Sequence, residues 1–284
     1  MFRFPDETRP AMAGLVGGSF ATLALHPLDL LKIRQSVHGN GNNQVARQQY
    51  QSMKSAVRGI LEREGGLRGL YSGVGMNVLV SGSSWGIYFA TYGAIKGQIK
   101  RMHGNQPIGH LEQLGAAFGA GVITTLVTNP MGVVRTRVIV SQKEGQYKSM
   151  WAALTHIRKA EGFNGLYKGL LPSLLGVSHG AIQFSVYEKL KDTIKTRKGD
   201  ISMPETIGAC AVSKVIAALI TYPCQNLRSC QQAQSGGQRI SAMSMFQKEG
   251  MRGFYRGLGP YLLHVIPNVC MVFLVYEVVV NGSK

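Results

Sequence analysis

Charged residues are scarce in this chain of 284 residues: Asp, Glu, Lys and Arg make up 16% of it, against about 25% in soluble proteins. Six windows are nearly free of charge, and each approaches the roughly 20 residues that cross a bilayer as a helix. They are residues 11–28, 74–95, 113–134, 169–187, 206–227 and 257–275. The sequence therefore predicts an all-α membrane protein with six transmembrane helices, and disfavours the alternative of buried helices in a large soluble protein.

Recognisable catalytic and metal-binding motifs are also missing. Only four cysteines are present, at spacings that fit neither a zinc site nor a disulfide framework. The sequence contains no Ser/His/Asp or Cys/His arrangement and no nucleotide-binding P-loop. We therefore expect no enzyme, no bound metal and no resident cofactor.

Acidic residues are the scarcer charged class, with 14 Asp and Glu against 31 Lys and Arg, which gives a formal net charge of +17. The bases are spread between the windows, and no basic helix or RNA-binding motif groups them, so a nucleic-acid partner is not expected. A positive potential instead attracts a small anionic solute and anionic lipid headgroups. Cardiolipin is the lipid that we expect.

A phrase that begins with proline recurs three times, each time at the end of an apolar window. Its copies are PLDLLKIR at 27–34, PMGVVRTR at 130–137 and PCQNLRSC at 223–230. Each copy is followed by a Glu-Gly pair and an aromatic-x-Gly turn, and a third shared phrase that begins with tyrosine closes the next span. A repeat of this length fixes the architecture. The sequence predicts three units, at 1–103, 104–199 and 200–284, each with two spans and a polar link.

This triple arrangement resembles the mitochondrial carrier family over essentially the whole chain. The resemblance implies six tilted transmembrane helices in threefold pseudo-symmetry around a cavity, with short helices on the matrix side. It also implies a multi-pass protein of the mitochondrial inner membrane that acts as a monomer. The prolines Pro27, Pro130 and Pro223 are expected to bend their helices, since proline removes a backbone hydrogen bond.

The resemblance implies an ion-pair gate at each end of the cavity. At the matrix end Asp29 would pair with Arg135 and Gln225 with Lys32, whereas Gly132 offers Arg228 no partner. At the cytoplasmic end Lys96 would pair with Glu188, and Lys191 with Glu277. A gate with so few intact pairs is expected to be weaker than one with three, and partly buried pairs contribute modest net energy in any case.

Candidate solute contacts follow from stepping back in fours along the even-numbered spans, because residues at i and i+4 share a helix face. The polar positions found in this way are Ser84, Tyr88, His179, Gln183, His264 and Asn268. Lys214 joins them because a charge inside a span normally faces a cavity or a partner. The neighbouring Trp85 is expected to pack rather than to bind the solute.

Several phrases resemble the branch of the family that transports FAD and folate: those at 26–34, 84–89, 176–184 and 213–214. The resemblance implies a transported FAD, with folate and pyrimidine or nicotinamide nucleotides as alternative solutes. Two positions depart from the branch, with Gly132 in place of tryptophan and His264 in place of arginine. A membrane adaptor that transports nothing is the alternative from another class, although Lys214 argues against it.

Overall fold

The computed structural model describes residues 9–39, 44–104, 109–140, 149–199, 202–235, 240–265 and 267–268. Its helices are α1 (Arg9–Gly39), α2 (Gln44–Gln49), α3 (Met53–Arg63), α4 (Leu67–Leu70), α5 (Val74–Met102), α6 (His110–Val140), α7 (Met150–Leu166), α8 (Leu170–Gly176), α9 (Ser178–Lys198), α10 (Met203–Ala233) and α11 (Ala242–Phe254). Residues 258–265 and 267–268 form a further helical stretch, the C-terminal helical segment. Within these ranges there is no strand, and the all-α prediction is confirmed.

The three repeats share one local plan. A long helix with an internal proline comes first, and Pro27, Pro130 and Pro223 lie inside α1, α6 and α10. A short helix and a second long helical stretch follow. In the second repeat that stretch is divided into α8 and α9 at Val177, whose backbone stays right-handed helical at φ −62° and ψ −30°, so the two pieces run almost continuously.

Each short helix begins at a serine that caps it. The hydroxyl oxygens of Ser52, Ser149 and Ser241 accept hydrogen bonds from backbone N–H groups three residues later. Such a cap satisfies a donor that the first helical turn leaves unpaired. The equivalent start of α3, α7 and α11 is structural confirmation that the polar links repeat.

Glycines of the aromatic-x-Gly turns join each repeat to the next. Gly169 and Gly257 both have a positive φ, of +72° and +79°. A Cβ atom on Gly169 would lie 3.0 Å from the carbonyl oxygen of Arg228, and one on Gly257 would lie 2.7 Å from that of Lys32. The third repeat therefore packs against α1 as the second packs against α10, and the repeats close into a ring.

Buried ion pairs fasten the short helices to the long ones. Arg34 of α1 pairs with Glu64 at 2.7 Å, and Arg137 of α6 pairs with Glu161 at 2.8 Å. In the third repeat the equivalent position is Cys230, and Glu249 is paired with Arg256 at 2.9 Å instead. The Glu-Gly phrase of each repeat thus supplies an acid that a base of the same repeat neutralises.

Apolar clusters hold the same junctions. Leu30 of α1, Ile60 of α3 and Ile139 of α6 are fully buried in one cluster, which couples the first two repeats. The second cluster joins α6 to α7 through Val134 and Ile157. A third, around Tyr222 of α10, includes residues of the C-terminal helical segment.

Two helical ranges of the described residues are by themselves long and apolar enough to cross a membrane. They are Leu111–Val140 and Pro204–Ala233, with mean hydropathies of 1.4 and 1.6 over their most apolar windows. These are the proline-containing helices of the second and third repeats.

Candidate solute-binding cavity

A cavity of about 760 Å³ lies between α1, α5, α6, α8, α9 and α10. This volume is within the range of about 300–1,000 Å³ that is usual for small-molecule sites. All three repeats contribute to its lining. The cavity therefore exists only once the ring of repeats has formed.

A cluster of polar side chains, called here the charged floor, lies in the cavity wall near the helix prolines. Its members are Asp29, Lys32, Arg135, Gln225 and Arg228, the residues predicted to form the matrix gate. The lining contains three cations against the single carboxylate of Asp29. The charged floor thus carries an excess of two positive charges.

Two contacts of the charged floor join different repeats. The guanidinium of Arg135 forms an ion pair with Asp29, and Asn77 donates a second hydrogen bond to the same carboxylate at 3.3 Å. The Lys32 ammonium donates to the side-chain oxygen of Gln225 at 3.3 Å. These are the partners that the sequence suggested, although their role in gating stays a prediction.

Arg228 is the exception in this cluster. It makes no hydrogen bond or ion pair with any residue that the structure describes, and it is only partly buried. A Cβ atom added to Gly132 would lie 3.3 Å from its Nη2 atom. Gly132 thus lies beside Arg228 without a side chain of its own.

A row of aromatic side chains on α5, called here the aromatic row, lines the cavity and consists of Trp85, Tyr88 and Tyr92. Tyr88 stacks on Tyr92 with the rings almost parallel, at a centroid distance of 6.1 Å. Trp85 meets Tyr88 edge to face and stacks on Phe89. Trp85, expected only to pack, also lines the cavity and remains 53% exposed. The aromatic row offers flat apolar surfaces to a ring system.

Three of the predicted solute contacts line the cavity: Ser84, Tyr88 and His179. The Nδ1 atom of His179 is 2.8 Å from the hydroxyl of Thr221, which is on α10. Gln183 is partly buried but is not among the lining residues. On α9 the lining residues after His179 are instead Gly180, Ala181 and Phe184, so the face that borders the cavity is offset by one residue from the face that contains Gln183.

Lys214 forms a separate polar contact between α10 and the C-terminal helical segment. Its ammonium donates to the side-chain oxygen of Asn268 at 3.3 Å. His264 interacts electrostatically with Asp29, Lys32 and Lys214, and so lies toward the same interior. Lys214, His264 and Asn268 are not among the lining residues, and their contact with a solute stays a prediction.

The second predicted gate is not paired within the described residues. The Lys96 ammonium lies 5.8 Å from the ring centroid of Tyr92, and that of Lys191 lies 5.9 Å from the ring centroid of Tyr187. Neither lysine forms an ion pair with Glu188 in the described part of the chain. Glu277 lies outside the described residues. The cytoplasmic gate therefore stays a prediction.

Some neighbours of the charged floor were not identified from the sequence. Tyr261 places its ring 3.9 Å from the Lys32 ammonium, and Asn77 contacts Asp29 as described above. Ser173 occupies the equivalent position in the second repeat and lines the cavity. All three residues come four positions after the glycine of the aromatic-x-Gly turn, so an alignment of the repeats at that glycine would have found them.

Comparison with known proteins gives a consistent result. The sequence model of the family described as "Mitochondrial carrier protein" matches residues 8–103, 106–198 and 199–283. A mitochondrial FAD carrier protein of Saccharomyces cerevisiae is 30% identical, with 95% of each chain covered. A mitochondrial nicotinamide adenine dinucleotide transporter of Arabidopsis thaliana is 34% identical, over 95% of this chain and 78% of the relative. A chloroplastic folate transporter of the same plant is 35% identical, over 96% of this chain and 95% of the relative.

Proposed function

The chain belongs to the mitochondrial carrier protein family, and on this premise we propose that it transports an aromatic anionic cofactor by alternating access. FAD is the solute that we favour. The proposed location is the mitochondrial inner membrane, which the chain crosses six times as a monomer built from repeats at 1–103, 104–199 and 200–284. The observation that carries the proposal is the aromatic row beside a charged floor with excess positive charge.

The surface of the long helices supports insertion in a membrane. Large apolar side chains of the long helices remain exposed. Examples are Leu111, which is 84% exposed, and Ile220, which is 58% exposed. In the two most apolar helices only 39% and 33% of the residues in the apolar window are buried within the protein. Core helices of a soluble protein would be mostly buried, whereas lipid covers such a surface without an aqueous penalty.

The chemistry of the cavity suits a flat ring system joined to an anion. The aromatic row can stack on a flavin, pterin or nicotinamide ring, and Arg228 can form a charge-assisted hydrogen bond to an acidic group. Ser84 and His179 add polar groups between these two regions. The related proteins named for FAD, nicotinamide adenine dinucleotide and folate all act on solutes of this kind.

The sequence phrases at 26–34, 84–89, 176–184 and 213–214 suggest the branch that transports FAD and folate, and FAD is the member of this pair that we favour. Folate and pyrimidine or nicotinamide nucleotides are the alternative solutes. A membrane adaptor without transport is the alternative of another class, and the neutral residues Gly132 and Gln225 at two gate positions are the observation that favours it.

Uptake into proteoliposomes tests the proposal. The purified chain is reconstituted, and the uptake of labelled FAD, nicotinamide adenine dinucleotide, reduced folate and a pyrimidine nucleotide is measured against empty liposomes. Saturable uptake of FAD above the other solutes is expected. Preferred uptake of another solute would replace FAD in the proposal, and no uptake of any of them by the folded protein would favour the adaptor.

A further inference from the structure

In the charged floor, two of the three acidic positions of the proline phrases hold neutral residues, whereas all three basic positions hold a base. In the three copies of the proline phrase, the acidic position is occupied by Asp29, Gly132 and Gln225. The basic position three residues later is filled each time, by Lys32, Arg135 and Arg228. Asp29 is neutralised by Arg135 and the Lys32 ammonium contacts the neutral Gln225. Repeat symmetry therefore leaves Lys32 and Arg228 without a counter-charge, and of these two Arg228 also lacks the polar partner that Gln225 gives Lys32.

Gly132 allows this arginine to lie close against the backbone of α6. The nearest atoms that a Cβ on Gly132 would meet are the Nη2 atom of Arg228 at 3.3 Å and the Nε2 atom of Gln232 at 3.4 Å. Any side chain at this position would therefore crowd the guanidinium. All three residues line the cavity, so a solute in the cavity can reach Arg228.

The side chain of Gln232, the other neighbour of Gly132, is held by hydrogen bonds to other residues. The Thr136 hydroxyl donates to Gln232 Oε1 at 2.9 Å, and Gln232 Nε2 donates to Asn129 Oδ1 at 3.4 Å. Gln232 is thereby held away from the guanidinium as an acceptor. The Arg228 guanidinium, with its planar set of donors, keeps the geometry that matches two oxygens of one acidic group.

We propose that Gly132 and Arg228, with Arg135 at the edge, form a subsite for the diphosphate group of the transported cofactor. This inference rests on the proposed function, because it assigns one group of that solute. A diphosphate bridge holds two negative charges on adjacent groups, so one compact contact places both beside Arg228, within the excess of positive charge that Arg228 and Lys32 give the charged floor. The two carboxylates of a glutamate tail are separated by a flexible chain and match it less well.

Ligand binding to the purified chain tests the subsite without transport. Thermal unfolding is followed at increasing inorganic pyrophosphate, with sulfate at equal ionic strength as a control for general anion binding. Arg228→Gln is expected to weaken pyrophosphate binding at least about tenfold, since it removes a charge-assisted contact. Arg197→Gln, which removes an exposed charge at the end of α9, is the matched control and should bind like the wild type.

A second pair of variants separates charge from space. Gly132→Asp and Gly132→Asn add side chains of nearly equal size, but only aspartate supplies the missing counter-charge. Both should weaken pyrophosphate binding, and Gly132→Asp should weaken it by about a further tenfold, equivalent to one interaction of about 1.4 kcal/mol. Unfolding temperatures without ligand show that each variant is folded.

Three results would overturn the inference. One is unchanged pyrophosphate binding in folded Arg228→Gln, and another is equal binding by the two Gly132 variants. The third is stabilisation by 4-aminobenzoylglutamate that depends on Arg228 while pyrophosphate has no effect, which would make the subsite a dicarboxylate site. Pyrophosphate binding that depends on Arg228 without FAD uptake would reject the proposed function alone. FAD uptake with pyrophosphate binding independent of Arg228 would reject the subsite alone.

Discussion

The guanidinium of Arg34 is fully buried, and its Nη1 atom lies 2.7 Å from both carboxylate oxygens of Glu64. Its Nε atom donates to the carbonyl oxygen of Ile139 at 2.7 Å. One side chain therefore joins α1 to the polar link of its own repeat and to the long helix of the next. Removal of the Glu64 carboxylate, its only such partner among the described residues, should therefore destabilise both repeats.

Glu64→Gln should destabilise the fold by about 3 kcal/mol, because it leaves a buried guanidinium without a counter-charge. Thermal unfolding of the purified protein measures the change. Glu62→Gln is the control, since Glu62 lies on the same helix and is exposed. Equal unfolding temperatures for the two variants would show that the Arg34–Glu64 pair contributes little to stability.

Gly257→Ala should also destabilise the fold, by about 1–3 kcal/mol. Gly257 has φ +79°, and its added Cβ would lie 2.7 Å from the carbonyl oxygen of Lys32, so the substitution strains the backbone and pushes the third repeat from α1. Gly259→Ala is the matched control, because nothing lies within 4 Å of a Cβ there. The same melting temperature for both would argue against a tight closure of the ring.

Reversal of the Asp29–Arg135 pair tests whether it acts as a gate. Asp29→Arg and Arg135→Asp each place like charges together and should lower uptake of the transported solute at least about tenfold, equivalent to about 1.4 kcal/mol. The double reversal should recover part of the activity, because it restores an attractive pair. Uptake by the double variant no better than that of the single variants would mean that these residues do not function as a pair.

Lys214→Ala should impair transport and leave the protein folded. The Lys214 ammonium contacts Asn268 across two helices, and a charge at this depth of a membrane helix is normally functional. Initial uptake rates in proteoliposomes measure the effect, with the exposed Lys189→Ala as the control. Wild-type rates in Lys214→Ala would remove Lys214 from the proposed site.

Tyr88→Leu should weaken binding of the solute ring by about tenfold, because a lost stacking contact of about 1.4 kcal/mol corresponds to that factor. Flavin fluorescence measures FAD binding, since stacking on an aromatic ring changes its intensity. The control is Phe246→Leu on α11, which removes a 51% exposed aromatic outside the cavity. If both variants bound FAD equally well, the aromatic row would not be the flavin contact.

Much of the candidate site could be predicted because the repeat carries its own register. The proline phrase places Lys32 and Arg135 at equivalent positions of two repeats and Asp29 three residues before Lys32, and the structure brings these side chains to one wall of the cavity. The prediction was less useful on α9, where Gln183 lies away from the lining. Steps of four from His179 reach Gln183, whereas the face of α9 that borders the cavity also includes Gly180 and Phe184.

The sequence by itself determined the helical class, the three repeats and the positive charge of the chain, because these depend on composition and on residues close together in the chain. Only the tertiary structure decided which side chains meet. Arg228 lies close against Gly132 of another repeat, and Tyr261 covers Lys32 from the opposite end of the chain. Such contacts arise when the ring of repeats closes, and helix packing, which no local pattern encodes, sets their geometry.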